Sequence, residues 1–181
     1  MGEYTQQQFQ NDVNSIDNTD FVKAIENMRE NYTDKNKDDV LNRAVFDAVY
    51  FVPAIVDREN TELTEDENKR LSFEKRPKSQ FVLIENANGE KFIPAFTDQQ
   101  ALLKFKEEQS QDCNAFVMSF ADIASVVEVF PNIAGFVVNP FAHNLPFPRD
   151  FIAAIKKNIM DQMAKIEEDK KKSNITMTTN S

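Results

Sequence analysis

Apolar residues recur at helical spacing in five stretches of this 181-residue chain and crowd into short, strand-like runs in five others. From Asp20 onward, Phe21, Val22, Ile25, Met28 and Tyr32 share one helical face. After the polar spacer NYTDKNK, Val40, Leu41, Ala44 and Val45 form a second such series. YFVPAIV (50–56) is dense in β-branched and aromatic residues and too short for a helix, so it predicts a strand. The charged connection DRENTELTEDENKRLSFEKRPKS (57–79) is longer than compact domains usually hold. Within it, Thr64 and Glu67 have the capping-box spacing of a short surface helix.

QFVLIEN and KFIPAF flank Asn88-Gly89, the pair that best suits a two-residue hairpin turn because both positions need positive φ. Counting outward from that turn sets Ile84 opposite Ile93 and Phe81 opposite Phe96, with apolar residues on both faces, as in a hairpin covered on each side. The same count sets Leu83 opposite Pro94 in a pair that exchanges both hydrogen bonds. Pro94 has no N–H to give, so the ladder must bulge there, stop early or use another turn. Beyond it, Thr97 with Gln100 and Ser119 with Asp122 each have a helix-opening spacing. The first helix turns Leu102, Leu103 and Phe105 inward; the second turns Ile123, Val126, Val127 and Phe130 inward and stops at Pro131. NAFVM (114–118) and AGFVV (134–138) are strands, and Pro148 suits the first turn of a last helix. The buried stripe of that helix is Phe151, Ile152, Ile155, Ile159, Met163 and Ile166.

The resulting order is α-α-β-β-β-α-β-α-β-α. It predicts an α+β fold, a mixed β-sheet of about five short strands with helices packed on it and parallel neighbours in the C-terminal half. Residues 1–19 read as a flexible N-terminal arm, 20–167 as a single domain and 168–181 as a flexible polar tail. FVPAIVD (51–57) and FIPAFTD (92–98) echo each other, which fits two strands of similar burial.

Composition narrows the chemistry. Thirty acidic against twenty-one basic side chains give a charge near −9, unsuited to nucleic acid or anionic membranes. Three glycines, widely spaced, cannot build a Gly-rich phosphate loop. One cysteine forms no intrachain disulfide, the first ten residues lack the pattern of a signal peptide, and no apolar run reaches membrane-helix length. The expected protein is soluble and cytoplasmic, a monomer or weak homodimer without a cofactor.

The strand carrying Pro53, the segment FIPAFTDQQALLKF (92–105), VVNP (137–140) and a helix opened by Pro148-Arg149 together resemble the SseB N-terminal-domain family. That family is named for enhanced serine sensitivity and is unrelated to the secretion-system proteins that share its abbreviation. The resemblance covers about residues 38–160. It implies a compact α+β domain and brings no established catalytic residues. Where family members often follow NP with a Gly- or Ser-containing loop, this chain has Phe141-Ala-His-Asn-Leu-Pro.

One histidine and one cysteine leave a metal site dependent on carboxylates, and neither DNTD nor DKNKDD has the spacing of a calcium loop. Cys113 follows an acidic run that disfavours its thiolate. No Gly-x-Ser-x-Gly elbow exists, so no catalytic residue is assigned. The linker after AGFVV sits where ligands gather beyond parallel strands. Its Asn139, Pro140, Phe141, His143, Asn144, Phe147 and Arg149 are the candidate binding residues. Phe141, Leu145 and Phe147 equally suit a plug at the sheet end. Two functions follow: a non-enzymatic binding or regulatory module for a protein or small ligand, or a small enzyme using His143 with a carboxylate as general acid–base.

Overall fold

The strand expected at YFVPAIV forms as β1 (Val49–Asp57), and it uses both of its edges. The computed structural model describes residues 16–57, 63–65, 71–73, 78–109 and 113–178. Along one edge β1 pairs antiparallel with β7 (Asn114–Ser119), setting Val52 opposite Phe116. Along the other it pairs with β4 (Lys78–Phe81), Ile55 lying opposite Gln80. Further along that second edge, Phe51 and Phe96 exchange amide-to-carbonyl bonds of 2.8 and 2.9 Å. Pro53 lies between them, accepting the Val82 amide at 3.0 Å at a position that needs no amide in return.

The Phe51–Phe96 bridge joins two sheets. Sheet one is β4-β1-β7, wholly antiparallel. The other contains β5 (Ile84–Glu85), β6 (Lys91–Ala95), β8 (Ile133–Val138) and β9 (Leu145–Pro148), in that order. In it β6 and β8 are parallel, while β5 and β9 run antiparallel to their neighbours. A separate antiparallel pair, β2 (Leu63–Glu65) with β3 (Leu71–Phe73), lies in the long charged connection. The short helix expected from Thr64 and Glu67 is therefore not formed at residue 64; residues 66–70 lie outside the described ones.

Among the described residues, five helices pack against the joined sheets. α1 (Thr19–Glu30), α2 (Asp34–Asn42, continued by a π-turn at Arg43–Asp47), α4 (Phe120–Val129) and the start of α5 (Arg149–Thr178) pack on one face. There Phe21, Ile25, Val40, Ile123, Val127 and Ile152 meet Tyr50, Val52, Ile93 and Phe136. α3 (Gln99–Gln109) covers the opposite face, where Leu102 and Phe105 cluster with Phe51, Phe96, Val82 and Cys113. Tyr50 is fully buried between Phe21 and Phe136, its hydroxyl donating to the Ala44 carbonyl at 2.9 Å, and burial pushes the phenol pKa up. The fold is α+β, and its helices and strands follow the expected order.

Departures from the sequence expectation have local causes. The hairpin closes through three residues rather than two, because the Asn86 side chain accepts the amides of both Asn88 and Glu90 at 3.0 Å. Gly89 alone takes positive φ, 77°, as in a loop ending in a left-handed bulge residue. The register therefore moves by one: Ile84 faces Phe92, not Ile93, and β5 ends there, short of Pro94. Phe81 faces Ala54, while Phe96 bridges to Phe51. Phe92–Ala95 of β6 are all buried as expected, but β5 is a sheet edge.

Helix starts differ too. Thr33, inside the supposed spacer, caps α2 by accepting the Asn36 amide at 3.1 Å. Asp98 rather than Thr97 caps α3, accepting from Ala101 at 2.8 Å. The Ser119–Asp122 box forms in both directions, at 3.2 and 2.9 Å. Pro148 is the last residue of β9, so α5 begins at Arg149. Of its supposed buried stripe, Ile152 is buried, Ile155 and Ile159 are half-buried, and Phe151 in the first turn stacks on Phe147 with its outer side exposed, whereas Met163 and Ile166 are exposed because the helix outruns the body. The polar run from 168 continues that helix to Thr178. Residues 1–15 of the expected arm and 179–181 of the expected tail lie outside the described ones.

Two predictions follow from these contacts. At Gly135, φ is 153° and an added Cβ would lie 2.2 Å from the Phe147 carbonyl oxygen across the β8–β9 pair. Gly135→Ala is expected to cost about 3 kcal/mol or more in urea denaturation, since backbone on both sides must move. Ser119 bonds hold the Asp122 carboxyl below its usual value, so the box stabilises above the unfolded carboxylate range and is lost on acidification through the folded value. Ser119→Ala should cost about 1 kcal/mol at neutral pH. That penalty should shrink when the same denaturation is run well below about pH 3.9.

Candidate functional site

β6 and β8 run parallel, so Thr97 and Asn139 emerge side by side just past their ends. The Asn139 amide donates to the Ala95 carbonyl at 2.9 Å, carrying the parallel ladder one residue further. Its side chain then turns back: Oδ1 accepts the Thr97 amide at 3.1 Å, and Nδ2 donates to the Thr97 hydroxyl at 2.8 Å. That hydroxyl in turn donates a hydrogen bond to Asp98 Oδ2 at 3.1 Å.

The other side of the Thr97 peptide is held by Asn18. Asn18 Nδ2 donates at 2.7 Å to the carbonyls of both Thr97 and Val49, and its Oδ1 accepts the Val49 amide at 3.2 Å. Asn18, Thr97 and Asn139 are 7, 2 and 3 % exposed. Buried peptide groups need partners, and here two side-chain amides supply them where no strand reaches. Asn18 does not cap α1, because its side chain is spent on these bonds. Asp17 takes the Thr19 amide at 2.8 Å, and the Thr19 bonds hold its carboxyl below the usual range.

This network fixes His143. A backbone N–H can bond only to Oδ1 of Asn139, so Nδ2 is the group 3.2 Å from His143 Nδ1. A donor there assigns Nδ1 as an acceptor, and the neutral ring then carries its proton on Nε2. Nε2 faces Glu26 Oε1 of α1 at 4.0 Å. From the same helix Arg29 donates to the His143 carbonyl.

The rest of the loop is held as firmly. Asn139 and Asn144 adopt φ of 46° and 45°, and the Asn139 carbonyl accepts the amides of Ala142 and Asn144 at 3.0 and 2.8 Å. Asn is one of the few residues that tolerates this left-handed region. Phe141 stacks on Phe105 of α3, 6.0 Å between ring centres, yet stays 52 % exposed. Beneath it lies a cavity of about 80 Å³ bounded by Phe96, Lys104, Phe105 and Asn139.

Not all seven candidate residues meet here. Asn139, Pro140, Phe141, His143 and Asn144 share the loop. Phe147 is core, stacked on Phe136 with ring centres 4.7 Å apart. Arg149 stands at the far end of β9, roughly 15 Å of extended chain from Asn144. There it donates to the Phe130 and Ile133 carbonyls at 2.6 Å each, closing the end of α4. Sequence reasoning missed Asn18, Glu26, Arg29 and Thr97. Their roles depend on partners distant in the chain, and only Thr97 lay beside a recognised motif.

Two larger hollows lie elsewhere: about 610 Å³ between α4 and α5, and about 460 Å³ beside Gly89, Pro131 and Pro148. Among the described residues no group of three or more His, Cys, Asp or Glu is placed to hold a metal ion, and no helix is long and apolar enough to cross a membrane.

The family model described as the SseB protein N-terminal domain matches residues 21–154, from α1 into the first turns of α5. The chain belongs to that family. The SseB match takes in Thr97, the whole 139–144 loop and the α1 residues that clamp it, and so begins ahead of the resemblance read from residue 38. Asn18 lies just before the matched SseB segment. No curated protein and no solved structure matches the chain.

Removing either amide orphans buried peptide groups, at about 1–3 kcal/mol each. Asn139→Ala and Asn18→Ala should each lower the thermal midpoint clearly. Because both act on Thr97, the double variant should lose less than the sum of the two. Strict additivity in calorimetry would show that the two amides do not act as one clasp.

Proposed function

We propose that this SseB-family chain is a non-enzymatic binding or regulatory module that recognises a protein or small ligand through the 139–144 loop. The observation that carries this reading is Phe141, half out of the fold yet braced on Phe105 above a small cavity. A loop already held in its working shape loses little entropy on binding. An aromatic anchor ringed by polar groups is the usual composition of an interface hot spot. Pro140, His143 and Asn144 complete the surface, while Phe147, packed in the core against Phe136, and Arg149, at the far end of β9, take no part. The charge near −9 and the lone cysteine favour a cytoplasmic setting and a partner other than nucleic acid or membrane.

The enzyme reading keeps one point in its favour, the carboxylate of Glu26 facing His143 Nε2 at 4.0 Å. Against it, Nδ1 is occupied by Asn139, and His143 lines none of the three hollows described above. General acid–base work needs a substrate beside the imidazole.

Affinity capture from cell extract with immobilised full-length chain tests the binding reading. Phe141→Ala is expected to reduce recovery of any specific partner at least about tenfold, as truncating a hot-spot aromatic does. His143→Ala should reduce it less, and both variants should stay folded. Arg149→Ala should lower the melting midpoint but leave recovery intact. Unchanged recovery by folded Phe141→Ala protein would move the site away from this loop.

A further inference from the structure

His143 is the chain's only histidine, and its ring lies between two partners of opposite preference. Asn139 Nδ2 stands 3.2 Å from Nδ1, and Glu26 Oε1 of α1 stands 4.0 Å from Nε2. The first partner is a donor, so it needs Nδ1 without a proton. The second is an acceptor and an anion, so it favours a ring protonated on both nitrogens.

Asn139 has no freedom to adapt by turning its amide over. Oδ1 accepts the buried Thr97 N–H at 3.1 Å, and Nδ2 also donates to the Thr97 hydroxyl at 2.8 Å. A flip would set one N–H against another inside the fold, where an unmade bond is costly. A proton on Nδ1 therefore puts donor against donor, and the ring is the side that must move. Glu26 is placed to take it. Its side chain is 59 % exposed, and among the described residues His143 is its one ion-pair partner. The other charged groups around the loop are engaged elsewhere. Arg29, three residues along α1, is held on the His143 carbonyl. Asp98 accepts from the Thr97 hydroxyl, and Lys104 of α3, across the cavity under Phe141, is paired with Glu108.

We propose that the 139–144 loop carries a proton-sensitive latch: the neutral His143 ring bonds to Asn139 at the sheet end, and the protonated ring leaves Asn139 and pairs with Glu26 on α1. The Asn139 bond is complete above the imidazole range and lost as pH falls through it; the Glu26 pair is gained over the same fall. Between about pH 5 and 6 an ordinary imidazole is mostly charged and an ordinary glutamate still ionised, so the pair has its full charge there. The backbone bonds onto the Asn139 carbonyl persist, and the loop changes its anchor rather than its fold. That this exchange resets a partner's contact surface rests on the binding reading above; the exchange itself does not.

NMR on the isotope-labelled full-length chain tests the latch with no partner present, so its failure would leave the binding reading standing. With one histidine, every imidazole signal belongs to His143. At about pH 8 the ring nitrogens should show the neutral tautomer with its proton on Nε2. On acidification to about pH 5.5 the Asn139 side-chain amide should shift in step with the ring, and His143→Ala should abolish that response. Glu26→Gln removes the second anchor. At about pH 5.5 its Ala142 and Asn144 amides should exchange with solvent about threefold faster than in the wild type, the size expected of one exposed ion pair. Above the imidazole range the two proteins should match. A neutral ring protonated on Nδ1 overturns the proposal. So does an Asn139 amide indifferent to the charge on the ring, or a Glu26→Gln loop that exchanges like the wild type in acid.

Discussion

The peptide of Thr97 is the point on which the rest depends. It sits past the ends of β6 and β8, where no strand pairs with its N–H or C=O. Left bare in the interior, those groups would cost as much as a sizeable core truncation. Asn139 takes one side and Asn18 the other, at 3.1 and 2.7 Å. Each amide then spends its remaining capacity on something else that must be fixed: Val49 at the start of β1, and His143 in the loop. The junction between the two sheets, the entry to α1 and the shape of the candidate site are therefore consequences of a single polar problem and its solution.

That arrangement explains why the loop is rigid without glycine. Two asparagines accept left-handed backbone, and Asn139 earns its place twice, by conformation and by its side-chain bonds. Phe141-Ala-His-Asn-Leu-Pro carries Phe141 outward. The loop takes its shape from the network beneath, and Phe141 stands half exposed above it. One layer of hydrogen bonds lies between the strand ends and the exposed loop.

How much of this was legible beforehand differs by element. Helices and strands with their own periodicity, such as β1, β7, β8, α1 and α4, could be read directly, as could the Ser119–Asp122 box, because each is decided within a few residues. The hairpin register was not, since a single side chain, Asn86, captured two amides and added a residue to the loop. β9 was not either: LPFP has the composition of a turn, and becomes a strand only because Gly135 lets it approach β8. Asn139, Pro140, Phe141, His143 and Asn144 were singled out from position alone, and the structure places them in one loop. Phe147 and Arg149 were grouped with them because sequence proximity hides the direction of a strand, which carries them away from the loop. Asn18 carries no local signal, as its partners stand 31 and 79 residues away.

One edge of β1 has a consequence for how the chain reaches this state. Val49, Phe51, Pro53 and Ile55 face, in turn, the Asn18 side chain, Phe96, Val82 and Gln80. Three separate segments, around Asn18, residues 80–82 and Phe96, must therefore arrive at one strand before its edge is complete. Closing such loops costs entropy that grows only slowly with their length, so no one arrival is strongly favoured over the others. Little is gained until several are in place, because each leaves its neighbours' peptide groups bare. Such non-local closure is slow and concerted. The edge thus ties the α1 entry and the sheet junction to one strand through contacts that span 25 to 45 residues of chain.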